Sequence, residues 1–306
     1  MSLGEDKDSS AASRQHVAVM VEEVVGLVRA SHPLTVVDAT VGMGGHAVAL
    51  LEATDAHLLG LDRDEGVLGT AAARLRRYGD RVTLRHADFR NLDAVLDQCG
   101  MPCVGAIVVD LGMSTFALDD PERGFSFRLD GPLDMRMDRE QPLRAYDLVN
   151  EETEPALARI IYQWGEERAS RRIARAIVEA RRRRPIETTG QLCSIIESVM
   201  GGRRQRGIHP ATRTFQALRI AVNRELDSLT ALLKSGPARL ATGGRMVVLA
   251  YHSLEDRAVK ERFRELAHDG NFAAVTGKVM RPGTDEVARN PRARSARLRC
   301  IERRRA

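Results

Sequence analysis

Apolar residues along this chain change period several times, and each change marks an element. Between residues 16 and 30, Val17, Met20, Val21, Val24, Val25 and Val28 recur at helical spacing and predict a helix. The next stretch, Val36-Val37-Asp38-Ala39-Thr40-Val41, has small and β-branched residues with little polar alternation, the pattern of a strand covered on both faces in a parallel sheet. Gly42, Gly44 and Gly45 then allow a sharp turn and a close approach of backbone to ligand. A helix opening near Gly45 carries Ala47, Ala49, Leu50 and Leu51, and its first N–H groups point into that turn. Further strands are predicted at 57–61, 82–86 and 104–109, with helices between them through Val67, Leu68, Ala71 and Leu75, and through Leu92, Val95 and Leu96. Strand alternating with helix at this interval predicts an α/β fold with a doubly wound, mostly parallel sheet.

After residue 118 the rhythm stops. Residues 119–138 are rich in turn formers, two phenylalanines and alternating Asp and Arg, which favours an ordered functional loop. From 145 to about 200 the pattern is helical: Leu157, Ile160, Ile161 and Trp164 form one stripe, and Ile173, Ala174, Ile177 and Val178 continue it. Pro185 ends this run, and Thr188 or Thr189 can cap the next helix. A glycine- and arginine-rich loop at 201–207 precedes one helix expected over 212–233. Strand character returns at 245–250, introduced by Gly243-Gly244, before a helix through Leu254, Val259 and Phe263 and a last strand near 298–301. The expected organisation is a disordered tail at 1–13, an α/β domain in two pieces (14–118 and 217–306) and an inserted all-α domain at 119–216 suited to recognising an RNA substrate.

A chain of 306 residues that is 43% hydrophobic and 29% charged is a globular protein with a real core. No apolar run approaches the roughly 18 residues of a membrane helix, and the polar N-terminus lacks a secretory core. Cys99, Cys103, Cys193 and Cys300 show no metal-binding spacing; reduced, mostly buried thiols in a cytoplasmic protein without metal are expected. Net charge is +5, and among 47 basic residues only four are lysines, which makes nucleic acid a fair partner. Arg168, Arg171, Arg172, Arg175 and Arg181 to Arg184 lie largely off the apolar stripe, and both a solvated helix face and an RNA-phosphate surface remain open for them.

Asp38, Asp62, Asp88 and Asp110 sit at or just beyond the carboxyl ends of four successive strands, the edge where open α/β sheets bind ligands. The turn also satisfies a dinucleotide fingerprint, so an NAD-dependent dehydrogenase shares part of the pattern. Four carboxylates would repel a pyrophosphate, however, and suit a ligand bearing ribose hydroxyls, an ammonium and a sulfonium, S-adenosylmethionine.

Longer motifs then narrow the reading. Val37-Asp38-Ala39-Thr40-Val41-Gly42-Met43-Gly44-Gly45-His46, Asp110-Leu111-Gly112-Met113-Ser114, Gly165-Glu166-Glu167-Arg168, His209-Pro210-Ala211-Thr212-Arg213-Thr214-Phe215, His252-Ser253-Leu254-Glu255-Asp256-Arg257 and Asn290-Pro291-Arg292-Ala293-Arg294 closely resemble the MraW/RsmH family of bacterial ribosomal small-subunit RNA (cytosine-N4-)-methyltransferases. The resemblance runs in order from His16 through the whole chain. It implies a Rossmann-like class I methyltransferase with a helical insertion, S-adenosylmethionine as donor, and a decoding-region (P-site) cytidine of 16S ribosomal RNA as acceptor. By motif match the donor contacts fall on Asp38, Gly42, Gly44, Gly45, His46, Asp62, Phe89 and Asp110. Where many relatives carry a glutamine this chain has Ala117, and it has Tyr251 where phenylalanine is usual.

Methylating an exocyclic amine requires a group to align it and accept its hydrogen bond, because its lone pair is conjugated into the ring. Asp110 is the candidate catalytic residue. Phe116, Phe127 and Tyr251 are candidates for stacking a flipped-out base, with core packing as the competing role. His209, Arg213, Arg219, His252, Arg257, Arg292 and Arg294 are the candidate RNA contacts. A methyltransferase acting on another nucleic acid or a small amine, and a non-catalytic RNA-binding assembly factor, are the competing functions. Monomer and homodimer both remain open.

Overall fold

The computed structural model describes residues 18–113, 115–201 and 209–304. The expected tail at 1–13 and most of the 201–207 loop lie outside them. In chain order the α/β part begins with α1 (Val21–Arg29), β1 (Thr35–Asp38), α2 (Gly45–Ala53), β2 (His57–Asp62), α3 (Glu65–Leu75), β3 (Val82–His86), α4 (Leu92–Gln98) and β4 (Val104–Asp110). A short α5 (Thr115–Asp119) leads into the helical module: α6 (Ala145–Glu151), α7 (Glu154–Gly165), α8 (Ser170–Arg181), α9 (Thr189–Met200) and α10 (Thr212–Asn223). The chain returns through α11 (Glu225–Ser235), β5 (Leu240–Ala250), α12 (Ser253–His268), β6 (Phe272–Ala274), α13 (Thr284–Arg289) and β7 (Arg297–Arg303).

The seven strands form one sheet in the order β3-β2-β1-β4-β5-β7-β6, parallel except for β7, which runs antiparallel to both β5 and β6. β1 pairs with β2 on one side and β4 on the other, so strand order reverses there and a crevice opens at their carboxyl ends. The two residues of each strand pair face opposite cores, as the unalternating apolar runs predict. Val37, Leu59, Leu61, Ile107 and Val109 pack under α4, α11 and α12, whereas Val36, Leu58, Ala106 and Val108 pack against α1, α2 and α3. Each fully buried leucine contributes roughly 1.5–3 kcal/mol, so the sheet's hydrophobic layers fix the positions of the polar strand ends.

The module has its own core of Leu148, Leu157, Ile161, Ile173, Ile177, Leu192, Ile196 and Leu218. Residues 119–138 are ordered against it: Phe125, Leu133 and Met135 are buried in that core. Gly124, at φ +65°, passes so close to the Pro132 carbonyl that no side chain fits. Thr188 caps α9 with Gln191 completing a capping box, as its sequence position indicates.

Two expectations need correction. The single helix over 212–233 is two helices, α10 and α11, broken where Arg224 adopts φ +47°. Apolar periodicity continues through the break, so it leaves no trace in the pattern. The cause is tertiary: Asn223 donates to the Met135 carbonyl and accepts from the Met137 N–H, fastening the helix end to the loop. Second, Gly243-Gly244 lies inside β5, where the pairing with β4 is irregular between Val104 and Ala106, rather than before it. Ala221 and Val222, at the end of α10, pack in the module core. Among the described residues no helix is long and apolar enough to cross a membrane.

Candidate active site at the sheet edge

The turn after β1 is built as its glycines require. Gly42 and Gly44 have φ of +51° and +81°, left-handed conformations that side chains resist. A methyl group on Gly45 would stand 2.9 Å from Cβ of Ala18, so α2 can start there only without one. Asp62, at the end of β2, braces the turn: its Oδ2 accepts from the Gly42 N–H at 2.8 Å and its Oδ1 from the Asp64 N–H at 2.9 Å. Thr40 ties the two central strand ends together, with its hydroxyl accepting from the Asp110 N–H at 2.7 Å. His46, in the first turn of α2, donates from Nε2 to the Val19 carbonyl at 2.9 Å, which leaves Nδ1 facing Asp110 Oδ2 at 3.8 Å.

Three carboxyl groups thus crowd one desolvated rim. Asp38 is 1% exposed, and its pKa is pushed up to about 7, by burial first and then by Asp110 and Asp62, against the opposing pull of His46. Burial likewise holds Asp62 above the usual carboxylate range, despite its two backbone donors. The ring of Tyr251 lies on Gly112, and its hydroxyl, which faces Asp110, is driven far above its usual pKa by burial and by that carboxylate. Asp110 Oδ1 is buried and has no hydrogen-bond partner. Leaving such an oxygen unsatisfied costs about 1–3 kcal/mol or more for a charged group, a cost that a ligand supplying a donor or a cation would remove. The rim therefore fits a cationic ligand with hydroxyl and amine donors and repels a pyrophosphate.

Asp88 does not share this character. It caps the turn that follows it through the Arg90 N–H, pairs with Arg90 Nε at 3.1 Å and Arg63 at 3.6 Å, and accepts from the Ser228 hydroxyl at 3.0 Å. The fourth acid in the row is neutralised, and the constellation is one of three. Phe89 beside it is 7% exposed within the core under α4. A cavity of about 300 Å³ lies further out, lined by Asp64, Glu65, Asp120, Arg123, Asp138 and Arg139, and contains none of the rim acids. The buried, unsatisfied Oδ1 of Asp110 lies at the rim and not in this cavity.

The candidate RNA residues divide. His209 stacks on Phe127 with ring centroids 4.5 Å apart; its Nδ1 accepts the Ala211 N–H, and its Nε2 lies 3.1 Å from Glu197. Phe127, wedged between His209 and Phe215, is thereby occupied as a stacking candidate. Arg213 stands 3.7 Å from buried Glu167, Arg257 is 3.1 Å from Glu166, and Arg292 is 2.9 Å from Asp119; all three remain solvent-accessible. Arg294 is exposed and has no partner among the described residues. Arg219 is the exception that needs correcting: its guanidinium grips Glu225 through both Nε and NH2, at 2.8 and 2.9 Å, and is half-buried between α10 and α11. Its fork is used inside the protein, where it fixes the helix break, and is not presented to phosphate. His252 caps α12 through Nδ1, and its Nε2 is buried and unpartnered, 3.1 Å from Glu255 but out of line for a hydrogen bond.

Among the described residues two side-chain groups have metal-like composition: Cys193, Glu197 and His209, and Glu225, His252 and Glu255. In both, the histidine spends its Nδ1 lone pair on a backbone N–H, so Nε2 carries the proton and offers an ion nothing. Sequence reasoning missed Arg123, which is 4% exposed, pairs with Asp64 at 2.8 Å and donates to the carbonyls of Arg136 and Met137. It clips the 119–138 loop to the start of α3. The alternation of Asp and Arg in that loop was the available signal, but it could not say which arginine turned inward. Cys193 and Cys300 are buried and Cys103 is exposed, and all four thiols are free.

A 3-2-1-4-5-7-6 sheet with β7 reversed, a glycine turn after β1 and acids at the ends of β1, β2 and β4 define the class I, S-adenosylmethionine-dependent methyltransferase fold. Residues 13–304 match the MraW methylase family. The chain belongs to that family. It is 46% identical to a protein of Cutibacterium acnes over 97% of this chain and 94% of the relative. It is also 46% identical to one of Sorangium cellulosum (94% and 91% covered) and 47% identical to one of Syntrophobacter fumaroxidans (94% and 96% covered). All three relatives are named ribosomal RNA small subunit methyltransferase H.

Proposed function

We propose that this protein methylates the exocyclic N4 amine of a decoding-region cytidine in 16S ribosomal RNA, acting in the cytoplasm on the small ribosomal subunit. Support for the substrate comes from the names of relatives that cover nearly the whole chain, from the basic, arginine-rich composition and from the motif resemblance. S-adenosylmethionine, when bound, supplies an electrophilic methyl group on a positively charged sulfur. Asp38, the Gly42–Gly45 turn, His46, Asp62 and Phe89 are the residues proposed to hold it.

The single observation that carries the mechanism is the buried, unpartnered Oδ1 of Asp110 at the topological switch point. That oxygen accepts an N–H of the incoming amine, turning the nitrogen's lone pair toward the methyl group. The orientation matters most, because an aligned bound pair gains the largest part of its rate from lost freedom of approach. As the nitrogen becomes cationic, the Asp110 carboxylate stabilises the charge and can take the released proton. Tyr251, whose ring lies on Gly112 and whose hydroxyl faces Asp110, is the residue proposed to meet the base. Arg213, Arg257, Arg292, Arg294, His209 and His252 are the proposed RNA contacts.

Mass mapping of 16S ribosomal RNA from cells lacking this protein tests the proposal directly. One methyl group should be missing from one cytidine and should return when the purified protein and S-adenosylmethionine are added to the isolated small subunits. Unchanged methylation in the deleted strain would refute it.

A further inference from the structure

The helical module carries a surface whose charge is not balanced from within. Many buried or half-buried arginines are matched to carboxylates: Arg123 to Asp64, Arg136 to Asp134, Arg239 to Asp93 and Asp97, Arg245 to Glu302. On α7 and the start of α8 this changes. Arg159, Arg168 and Arg171 are exposed, and none has an acidic partner among the described residues. Along α8, Arg172 donates to the Val199 carbonyl, Arg175 stands 3.7 Å from Glu154 and Arg181 donates to the Val149 carbonyl, whereas Arg171 is left to solvent. Tyr162 stands on α7 three residues beyond Arg159, hence on the same face, and keeps 61% of its surface exposed. No other described Phe, Tyr or Trp is exposed.

The patch is joined to the sheet edge. One turn past Tyr162, Glu166 caps α7 in a left-handed conformation, accepts from the Ser253 hydroxyl and pairs with Arg257. Ser253 opens α12 two residues after Tyr251, the residue whose hydroxyl faces Asp110. Glu166, one turn beyond the exposed ring, therefore ties this helix end to the start of α12 beside Tyr251. Guanidinium groups suit phosphates, and an exposed π-face beside them suits an unstacked base; together they fit single-stranded RNA.

We infer that Arg159, Tyr162, Arg168 and Arg171 form a docking surface for the RNA strand flanking the target nucleotide, with Tyr162 as a platform for one base. This rests on the proposed reading that ribosomal RNA is the substrate.

The test compares wild type, Tyr162→Ala, Tyr162→Phe and the triple variant Arg159→Glu/Arg168→Glu/Arg171→Glu on small ribosomal subunits from cells lacking the enzyme, over a range of salt. Losing one stacked base should raise KM for the subunits roughly tenfold for Tyr162→Ala, while Tyr162→Phe, whose ring stacks equally well, stays near wild type. The triple variant should bind more weakly still, with a slope of log affinity against log salt shallower by about two, as expected for three lost phosphate contacts. Donor affinity, read by titration with S-adenosylmethionine, should be unchanged in every variant, and Arg74→Glu on the exposed face of α3 should behave as wild type. Wild-type protein that leaves the subunits unmethylated overturns the substrate reading and this surface with it. Wild-type turnover with unchanged KM and salt slope in Tyr162→Ala and the triple variant overturns the surface alone.

Discussion

The two halves of the sheet's carboxyl edge hold the same kind of residue under opposite conditions. At the β3 end, Asp88 is surrounded by Arg63, Arg90 and Ser228 and caps a turn; every demand its charge makes is met inside the protein. At the β1 and β4 ends, Asp38 and Asp110 share a desolvated space with each other and Asp62, and one oxygen of Asp110 meets nothing. A folded chain that gives one strand-end acid two arginines and leaves its neighbours without an arginine ion pair is storing an unfavourable electrostatic arrangement at one place. The natural reading of such a site is that a cation and hydrogen-bond donors from outside complete it.

Removing the carboxylate that the arriving amine needs is the severest way to break this contrast. Asp110→Ala should lower methyl transfer to small subunits by about 10²–10⁴-fold, measured as turnover at saturating substrate, while Arg90→Ala at the satisfied end should leave turnover within a few-fold. Equal losses in both variants would erase the distinction. Next comes the buried pair that clips the loop to α3. Arg123→Ala strands Asp64 and should reduce unfolding free energy by about 3–5 kcal/mol in chemical denaturation, far more than loss of the exposed Arg77–Glu52 pair.

The third prediction concerns pH. Asp38 in the folded protein, with its pKa raised to about 7, keeps a proton that the unfolded chain releases near pH 4. Between those values the native state binds more protons, so stability of the ligand-free protein falls as pH rises through that window and levels off above it. A cationic donor requires the carboxylate, so its affinity should rise with pH up to about 7, at most about tenfold per unit, and then flatten. Titrations between pH 5.5 and 8.5 check this; Asp38→Asn should give weaker binding with a flat profile. The smallest effect is expected for Tyr251→Phe, which keeps the ring on Gly112 but removes the hydroxyl facing Asp110. A change in turnover of about two- to fivefold would fit the loss of one ordinary hydrogen bond of roughly 0.5–1 kcal/mol.

Much of the framework was legible before any coordinates. Strands β1 to β4, the burial of β1, β2 and β4 on both faces and the glycine turn follow from unalternating apolar runs and from residues whose conformations only glycine tolerates. The helix break at Arg224 was not legible, because Asn223 makes it by bonding to a loop nearly ninety residues away in sequence. Arg219 and Arg123 illustrate the same limit in the site. Nothing in their neighbours along the chain distinguishes an arginine that turns inward to Glu225 or Asp64 from one that faces solvent.

Local sequence determined the elements, the turn and which residues stand at the strand ends, since period, β-branching and glycine act over a few residues. Only the tertiary structure decided which of those acids are neutralised and which stay bare. Charge compensation is a matter of distance in space: beside its near neighbour Arg90, Asp88 is met by Arg63 and Ser228, which, like the burial that raises Asp38, arrive there from other parts of the chain.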